Sequence, residues 1–600
     1  MCGINGFSWE DTALVSEMSQ VTKNRGPDDH GVYTDGAISL GHSRLSIIDL
    51  TENGHQPMCN EDQSVWIVYN GEIYNYQELR SELVEKGHLF KSDTDTEVII
   101  HAYEEFGLDF VNRFNGMWAF CIYDKNRNSL VLGRDQFGIK PLYYHVDSEG
   151  LIFSSMISAI LCHDVPAVPN DHAIMQYLSF NLEDHDSFTF FSTIEKIPTD
   201  TLFIYDLAER TYRLQRWYEP ADREAIDVDA VRDLFIESVR LRTIADVPVG
   251  SCLSGGVDST AIVCILNSIL PEEFNTYSLV SPGFALDESK YILEVGKRTN
   301  VRQFFTEISD SDFLEEFPDF VRAQEEPVTG MSPYAQYRVM KLASTNKAKV
   351  LLDGQGGDEI FAGYIYYYSY YFYELLASLK IGSLVREMVK YRKNFKNTFP
   401  HRMFAFLLLP GFAQRTAWHL FSPSWINHRY LKKVGSGVYD PRWKRMTLKE
   451  SLYLTLFTTA MPHLLRWEDK NSMRWSIESR PPFLDVNLVE SAMALPSESK
   501  LRDGQTKAVF KEAVKDYLPS MIAERKDKIG FATPSDEFFR KDNIVDFCRG
   551  IIYSDSFRSR PYWNWEKVEG KYRRHLDGTA NIGDTIWKWI NLEIWLREFF

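Results

Sequence analysis

Over the first two hundred residues, apolar and polar positions alternate in short runs. Ser64–Tyr69 (SVWIVY), Met117–Tyr123, Ser129–Leu132, Leu142–Val146 and Leu151–Ser154 are rich in β-branched and aromatic residues and predict strands. Residues 125–128 and 147–150 supply turns between neighbours. One helix interrupts them. Val98, Ile99, Ala102, Tyr103 and Phe106 form an apolar stripe that stops at Gly107, and Thr94 and Glu97 have the spacing of a capping box. The order predicts packed antiparallel sheets with flanking helices.

From about residue 225 the pattern changes. Asp246–Leu253, Thr276–Val280 and Arg302–Ile308 read as strands, alternating with helices over Thr260–Leu270 and Asp287–Arg298. Such βαβ alternation implies a parallel sheet covered by helices. Lys349–Asp353 reads as another buried strand running into a glycine-rich loop. A polar stretch with one proline, Arg216–Ala225, is the expected linker. The reading is therefore two domains: 1–215, α+β, and 225–600, a doubly wound parallel α/β sheet with extra helices.

A chain of 600 residues is too long for one ordinary core, which agrees with that division. The net charge of −18 argues against a nucleic-acid partner. Seven cysteines, with no CxxC pair, predict neither a disulfide framework nor a zinc site. The start MCGINGFSWED lacks the basic and apolar runs of a signal peptide, and Phe404–Pro410 is too short to span a bilayer. The expectation is a cytoplasmic protein without a membrane partner. Peripheral contact through the Tyr-rich run Tyr364–Tyr373 is the weaker reading, because Tyr at helical spacing usually packs against protein.

Cys2 is the first candidate for chemistry. Removal of Met1 would give it a free α-amine of pKa about 7.7–8.0, able to take the thiol proton. An amide-cleaving nucleophile also needs an oxyanion hole, for which the Asn70 side chain and the Gly71 N–H offer two donors. Arg44 suits a carboxylate, while Glu72 and Asp95 suit an ammonium group.

The motifs MCGI, RGPD, HxRLSIID, NGEIYN, SDTDTEVI and GRDQFGIKPLY occur in order over residues 1–160. Together they resemble the glutaminase domain of class II glutamine amidotransferases, an αββα fold with an N-terminal nucleophile. The resemblance implies Cys2 as nucleophile, Asn70 and Gly71 as oxyanion hole, and Arg44, Asn70, Glu72 and Asp95 as the glutamine site.

In the second domain, Ser254-Gly255-Gly256-Val257-Asp258-Ser259 lies between a predicted strand and helix, where backbone N–H groups and the helix N-terminus can cradle an anion. It is not a Walker A loop. It resembles the pyrophosphate loop of ATP pyrophosphatases. With GxGGDEIFAGY, Asp469, Ser472-Met473, ESRxPFLD and KxGF, it resembles the synthetase domain of asparagine synthetases over residues 230–365 and 460–535.

That resemblance implies ATP bound by Leu253, Ser254, Gly255, Gly256, Asp258, Ser259, Leu279, Asp353, Gly354 and Lys528. It implies Mg²⁺ held by Asp258 and Asp358, and Gln355 and Arg480 at an acyl-AMP intermediate. It further implies glutamine, ATP and aspartate or another carboxylate acceptor as substrates, and a possible homodimer. The carboxylate would attack the α-phosphorus of ATP, and ammonia from the first site would displace AMP.

The chain departs from that pattern in four places. Gln355 stands where the family usually has an acid, and Asp353 where it usually has Ser. Ser154-Ser155-Met156-Ile157-Ser158 replaces a run that carries an acid and a base. Residues 365–450 match no motif. Intact Cys2, Asn70, Asp95, Asp258 and Asp358 argue against a non-catalytic relative, and Cys2 argues against β-lactam synthetases, which typically lack it.

Overall fold

The computed structural model describes residues 1–600 except 222, 285, 396, 412, 415–422, 436–443 and 526–532. The first domain contains β1 (Gly3–Phe7), β2 (Asp29–Asp35), β3 (Ile38–Arg44), β4 (Met58–Cys59), β5 (Val65–Ile73), β6 (Gly116–Asp124), β7 (Ser129–Arg134), β8 (Tyr143–Val146), β9 (Leu151–Ser154), β10 (Glu195–Lys196), β11 (Thr201–Asp206) and β12 (Thr211–Arg216). They form two antiparallel sheets, ordered β10-β8-β9-β1-β3-β2 and β12-β11-β7-β6-β5-β4.

β6 shows how the layers arise. Every residue from Gly116 to Asp124 is buried. Trp118, Phe120 and Ile122 pack against α2 (Tyr76–Glu85) and α3 (Asp95–Phe106), which cover that face. Ala119, Cys121 and Tyr123 point the other way and meet Ile4, Leu40 and Phe153 of the facing sheet. α1 (Thr12–Val21) covers the outer face of that second sheet. Period-2 alternation thus makes one strand serve two apolar layers, giving an αββα sandwich.

β1, β2 and β3 lie outside the sequence expectation. Glycines at 3, 6, 31 and 41 and polar His42 and Ser43 break the apolar alternation, yet β3 is wholly buried. The capping box is half formed. Thr94 accepts from Glu97 N at 3.3 Å, but the Glu97 carboxylate turns to the N–H groups of Lys91 (2.8 Å) and Ser92 (2.7 Å).

The second domain is built on a parallel sheet of β13 (Val249–Cys252), β14 (Phe274–Leu279), β15 (Val301–Thr306), β16 (Val350–Leu352) and β17 (Glu478–Arg480), ordered β15-β14-β13-β16-β17. β13 starts three residues later than its apolar pattern because Pro248 has no N–H to pair. The chain runs outward from β13 through β14 to β15, then returns to place β16 on the opposite side. The loops after β13 and β16 therefore leave the sheet side by side at a topological switch point. α4 (Val257–Ile269) follows β13, and α5 (Met461–Arg474) carries Asp469 to the domain junction.

Between the domains, Tyr218, Ala221 and Arg223 all hydrogen-bond to Glu490. Tyr367, Tyr368, Tyr370 and Tyr371 are buried in the second domain's core, which removes them from any membrane face. Among the described residues, no helix is long and apolar enough to cross a membrane. All seven cysteines are free thiols.

Candidate active sites and their connection

Cys2 and Asn70 meet because β1 and β5 approach each other at their ends, one in each sheet. The Cys2 N–H donates to Asn70 Oδ1 at 2.9 Å. That contact turns the Asn70 amide so that Nδ2 is buried with no protein acceptor. An orphaned donor beside a thiol has the chemistry of an oxyanion hole. Gly71 follows directly on β5, where the β6 backbone passes so close that a Cβ would lie 2.2 Å from Met117 O. Burial raises the Cys2 thiol pKa, opposed by the nearby α-ammonium, the Leu45 N–H and Arg44.

The predicted glutamine ligands fall into two groups. Glu72 and Asp95 are buried together beside Glu478, which the motif reading did not single out. Asp95 accepts from Tyr69 Oη at 3.0 Å and Ile73 N at 2.9 Å, and burial pushes its carboxyl up to about 6. Burial, then the charges of Glu478 and Asp95, raise Glu72 well above the carboxylate range. Glu478 remains ionised. Burial acts against its charge, but the Met1 ammonium, Arg480 and Lys140 bring it down to about 2. The Met1 α-ammonium lies 2.8 Å from Glu478 Oε2. It stands in for any primary ammonium in this acidic pocket. Arg44, in contrast, directs its guanidinium to the carbonyls of Ile48, Asp49 and Thr51. It braces this loop, and Gly54 is obligatory there, since a Cβ would lie 1.9 Å from Arg44 Nη2.

In the second domain the β13–α4 turn is a compact hydroxyl and glycine loop. Ser254 Oγ and Ser259 Oγ lie 3.0 Å apart, and Ser259 Oγ accepts from Ser254 N at 3.2 Å. Gly255 adopts φ +78°, a conformation that favours glycine, and its carbonyl accepts from Arg525 at 3.0 Å. Leu253 is buried beneath the loop and Leu279 ends the adjacent β14. The loop after β16 packs against it, with a Cβ on Gly354 falling 3.3 Å from Asp258 Cβ. Asp353 is buried and accepts from Gln355 N at 2.9 Å; burial raises its carboxyl to about 6.

Asp258 and Asp358 converge on one cation, the Lys507 ammonium, at 2.5 and 2.8 Å. Asp258 Oδ1 is buried with no hydrogen-bond partner. Two facing carboxylates with an unsatisfied oxygen suit a hard divalent ion such as Mg²⁺. Lys507 sits in a segment, DGQTK, that carries no motif signal; only the fold brings it here. Lys528 lies outside the described residues.

Arg480 requires a correction. Its guanidinium does not project toward the nucleotide loops. Nε donates to Glu478 Oε1 at 2.6 Å, Nη1 to the carbonyls of Arg242 and Ile244, and Nη2 lies 3.5 Å from Glu72 Oε1. It thus bridges the two domains beneath the acidic pocket, because β17 is the sheet edge nearest the first domain. Arg25 does the same from the other side. It grips Asp469 at 2.7 and 3.0 Å while its Nε donates to the Cys2 carbonyl at 3.0 Å.

The run Ser154–Ser158 also gains an explanation. Glu325 accepts from Ile157 N (3.0 Å) and Ser158 N (2.7 Å) and pairs with Lys470, so an acid and a base reach this junction from the second domain.

The glutamine amidotransferase domain profile matches residues 1–218, and the asparagine synthase profile matches residues 230–597. The chain belongs to the asparagine synthase family. The chain is 29% identical to asparagine synthetase (glutamine-hydrolyzing) 1 of Bacillus subtilis strain 168, over 99% of its own length and 96% of the relative's. It is 35% identical to putative asparagine synthetase (glutamine-hydrolyzing) 2 of Methanocaldococcus jannaschii, over 61% and 76%. It is 26% identical to amidase chry2 of Gibberella zeae, over 88% of both chains. The chain is an ATP-dependent carbon–nitrogen ligase of that family, with glutamine as its nitrogen donor.

Proposed function

We propose that the protein is a glutamine-dependent asparagine synthetase, with aspartate as acceptor. The observation that carries this reading is the junction of the two sites. Glu478 touches the Met1 ammonium of the thiol pocket and lies on β17, paired with the β16 strand that leads into the Asp353 loop. The β16–β17 pair therefore links the thiol pocket to the nucleotide loop.

In this reading Cys2, freed of Met1, attacks the glutamine amide. Its α-amine takes the thiol proton, and Asn70 Nδ2 with Gly71 N–H stabilises the oxyanion. Glu72, Asp95 and Glu478 hold the glutamine ammonium. Ser254 to Ser259 cradle the ATP phosphates, and the aspartate carboxylate attacks the α-phosphorus to give the acyl-adenylate and pyrophosphate. Mg²⁺ bound by Asp258 and Asp358 would supply positive charge against the departing pyrophosphate. Ammonia then displaces AMP.

Pyrophosphate release with ATP, Mg²⁺ and glutamine, measured across a panel of acceptors, tests the proposal. Aspartate should give the highest kcat/KM, with asparagine as product. The exchange of Ser for Asp353 and acid for Gln355 favours a second reading, in which the acceptor is a carboxylate on a sugar, peptide or secondary metabolite. Turnover with such an acceptor but not with aspartate would establish it.

A further inference from the structure

In the first domain, His88 follows α2 while His101 and Glu104 lie one turn apart on α3. His88 Nδ1 is 3.2 Å from His101 Nδ1. His101 Nδ1 is 2.9 Å from Glu104 Oε2, and His88 Nδ1 is 3.7 Å from that same oxygen. Three potential ligand atoms thus form a small triangle. A tetrahedral ion with bonds of about 2.0–2.1 Å sets its ligand atoms about 3.3–3.4 Å apart, which lies within the spread of these edges.

The surroundings are those of a coordination site. Behind His88, Nε2 faces Glu105 Oε2 at 3.5 Å. Behind His101, Nε2 faces Glu97 at 3.9 Å and Glu61 at 4.0 Å. The second oxygen of Glu104 accepts from Asn60 Nδ2 at 2.7 Å. A carboxylate behind each imidazole, and a hydrogen bond behind the ligating carboxylate, is how proteins orient metal ligands. Phe90 closes one side, its ring 4.7 Å from that of His101. Lys86 is the nearby cation, and it is held by Glu105 Oε1 at 2.9 Å.

We infer that His88, His101 and Glu104 form a site for a divalent transition-metal ion of the zinc class, with water in the fourth position. Two imidazole nitrogens select such ions over Mg²⁺ and Ca²⁺, which prefer oxygen. The cysteine spacing could not indicate this site, because no cysteine contributes to it. The ion would tie the segment after α2 to α3. Asp95 lies six residues before His101 on that helix, about 9 Å along its axis, so the ion has a structural role beside the glutamine pocket.

A proton competes for the same atoms. Burial alone lowers the His101 pKa, but the hydrogen bonds it donates to Glu104 and Glu97 outweigh it and raise it to about 9.

The test uses the full chain as Cys2→Ala, which removes the reactive thiol as a competing ligand, after dialysis against chelator. Co²⁺ should give the strong visible bands of a four-coordinate complex at one equivalent, displaced by Zn²⁺ and not by millimolar Mg²⁺. His88→Gln should weaken binding at least 100-fold, and Glu105→Gln about 10–100-fold. Ammonia-dependent pyrophosphate release should persist in both, which confirms that they fold. Equal affinity in His88→Gln, or no Co²⁺ bands in the parent with the metal in large excess, would overturn the inference. The cluster would then be a His101 imidazolium held between Glu97 and Glu104.

Discussion

The Met1 α-ammonium pairs with Glu478 at 2.8 Å, and both groups are sealed from solvent. While Met1 is attached, the Cys2 nitrogen is an amide and cannot take the thiol proton, and in the proposed assignment the ammonium fills the pocket meant for glutamine's own. A chain that retains Met1, identified by intact mass, should lose glutamine hydrolysis by a factor on the order of 10³ or more, while ammonia-dependent synthesis continues. Equal glutamine hydrolysis with and without Met1 would refute the assignment of this pocket.

Cys2→Ala should abolish glutamine-dependent synthesis, by a factor on the order of 10⁴ or more, and leave synthesis from ammonium salts intact. Asn70→Ala should lower glutaminase kcat by about 10²–10³-fold through loss of one oxyanion donor. Steady-state assays with each nitrogen source separate the two. Loss of both activities in a folded Cys2→Ala protein would contradict the two-site arrangement.

Asp258→Asn and Asp358→Asn should each stop pyrophosphate release while glutamine hydrolysis persists. Each removes one of the two charges that converge on Lys507, and a half-neutralised site holds a divalent ion poorly. Raising Mg²⁺ should partly restore the variants if the metal is what they lost. Unchanged pyrophosphate release in either variant would remove that residue from the site.

Much of this arrangement was legible in the sequence, and the parts that were not share a cause. β5, β6, β9 and the first four strands of the parallel sheet announced themselves through alternating or continuous apolar runs, whereas β17, the polar Glu478-Ser479-Arg480, did not. β1 and β3 did not, since glycines and buried polar residues such as Asn5 and His42 occupy them. Cys2, Asn70, Asp95 and Asp258 stood in contiguous motifs. Lys507 and the contact of Glu478 with the first domain depend on chain segments hundreds of residues apart, and no local spacing records them. Arg480 shows the converse: its motif was recognisable, but the direction of its side chain is decided by the partner carboxylates Glu478 and Glu72.

The acidic pocket should impose a pH limit on glutamine use. Burial pushes the Asp95 carboxyl up to about 6. Only its ionised form attracts the glutamine ammonium, so kcat/KM for glutamine should fall as pH drops through about 6, while Glu478 stays ionised throughout that range. The stability sign is opposite. A carboxyl with a raised folded pKa favours the folded state most when protonated, and that contribution is lost as pH rises through 6. Asp95→Asn should therefore abolish the acid limb and weaken glutamine binding without lowering the thermal midpoint at pH 7.5. A lower midpoint would mean that the hydrogen bonds from Tyr69 and Ile73 need the charge.

The last prediction concerns the proton lost when ammonia attacks the acyl-adenylate. Gln355 cannot accept it. Asp353, two residues earlier in the same loop, can: burial raises its carboxyl to about 6, and its Oδ1 already accepts from Gln355 N at 2.9 Å. If Asp353 is the base, Asp353→Asn should leave pyrophosphate formation near its normal rate and slow amide formation by about 10²–10⁴-fold, the usual worth of general-base help. Gln355→Glu in that background should recover part of the loss by returning an acid to the position the family usually uses. Gln355→Glu alone should alter mainly the amide-forming half. Single-turnover measurements of pyrophosphate and amide separate the two halves. If Asp353→Asn slows both equally, Asp353 shapes the nucleotide loop and takes no proton. If neither Gln355→Glu nor Gln355→Ala changes either half, residue 355 has no part in the chemistry, and its identity carries no information about the acceptor.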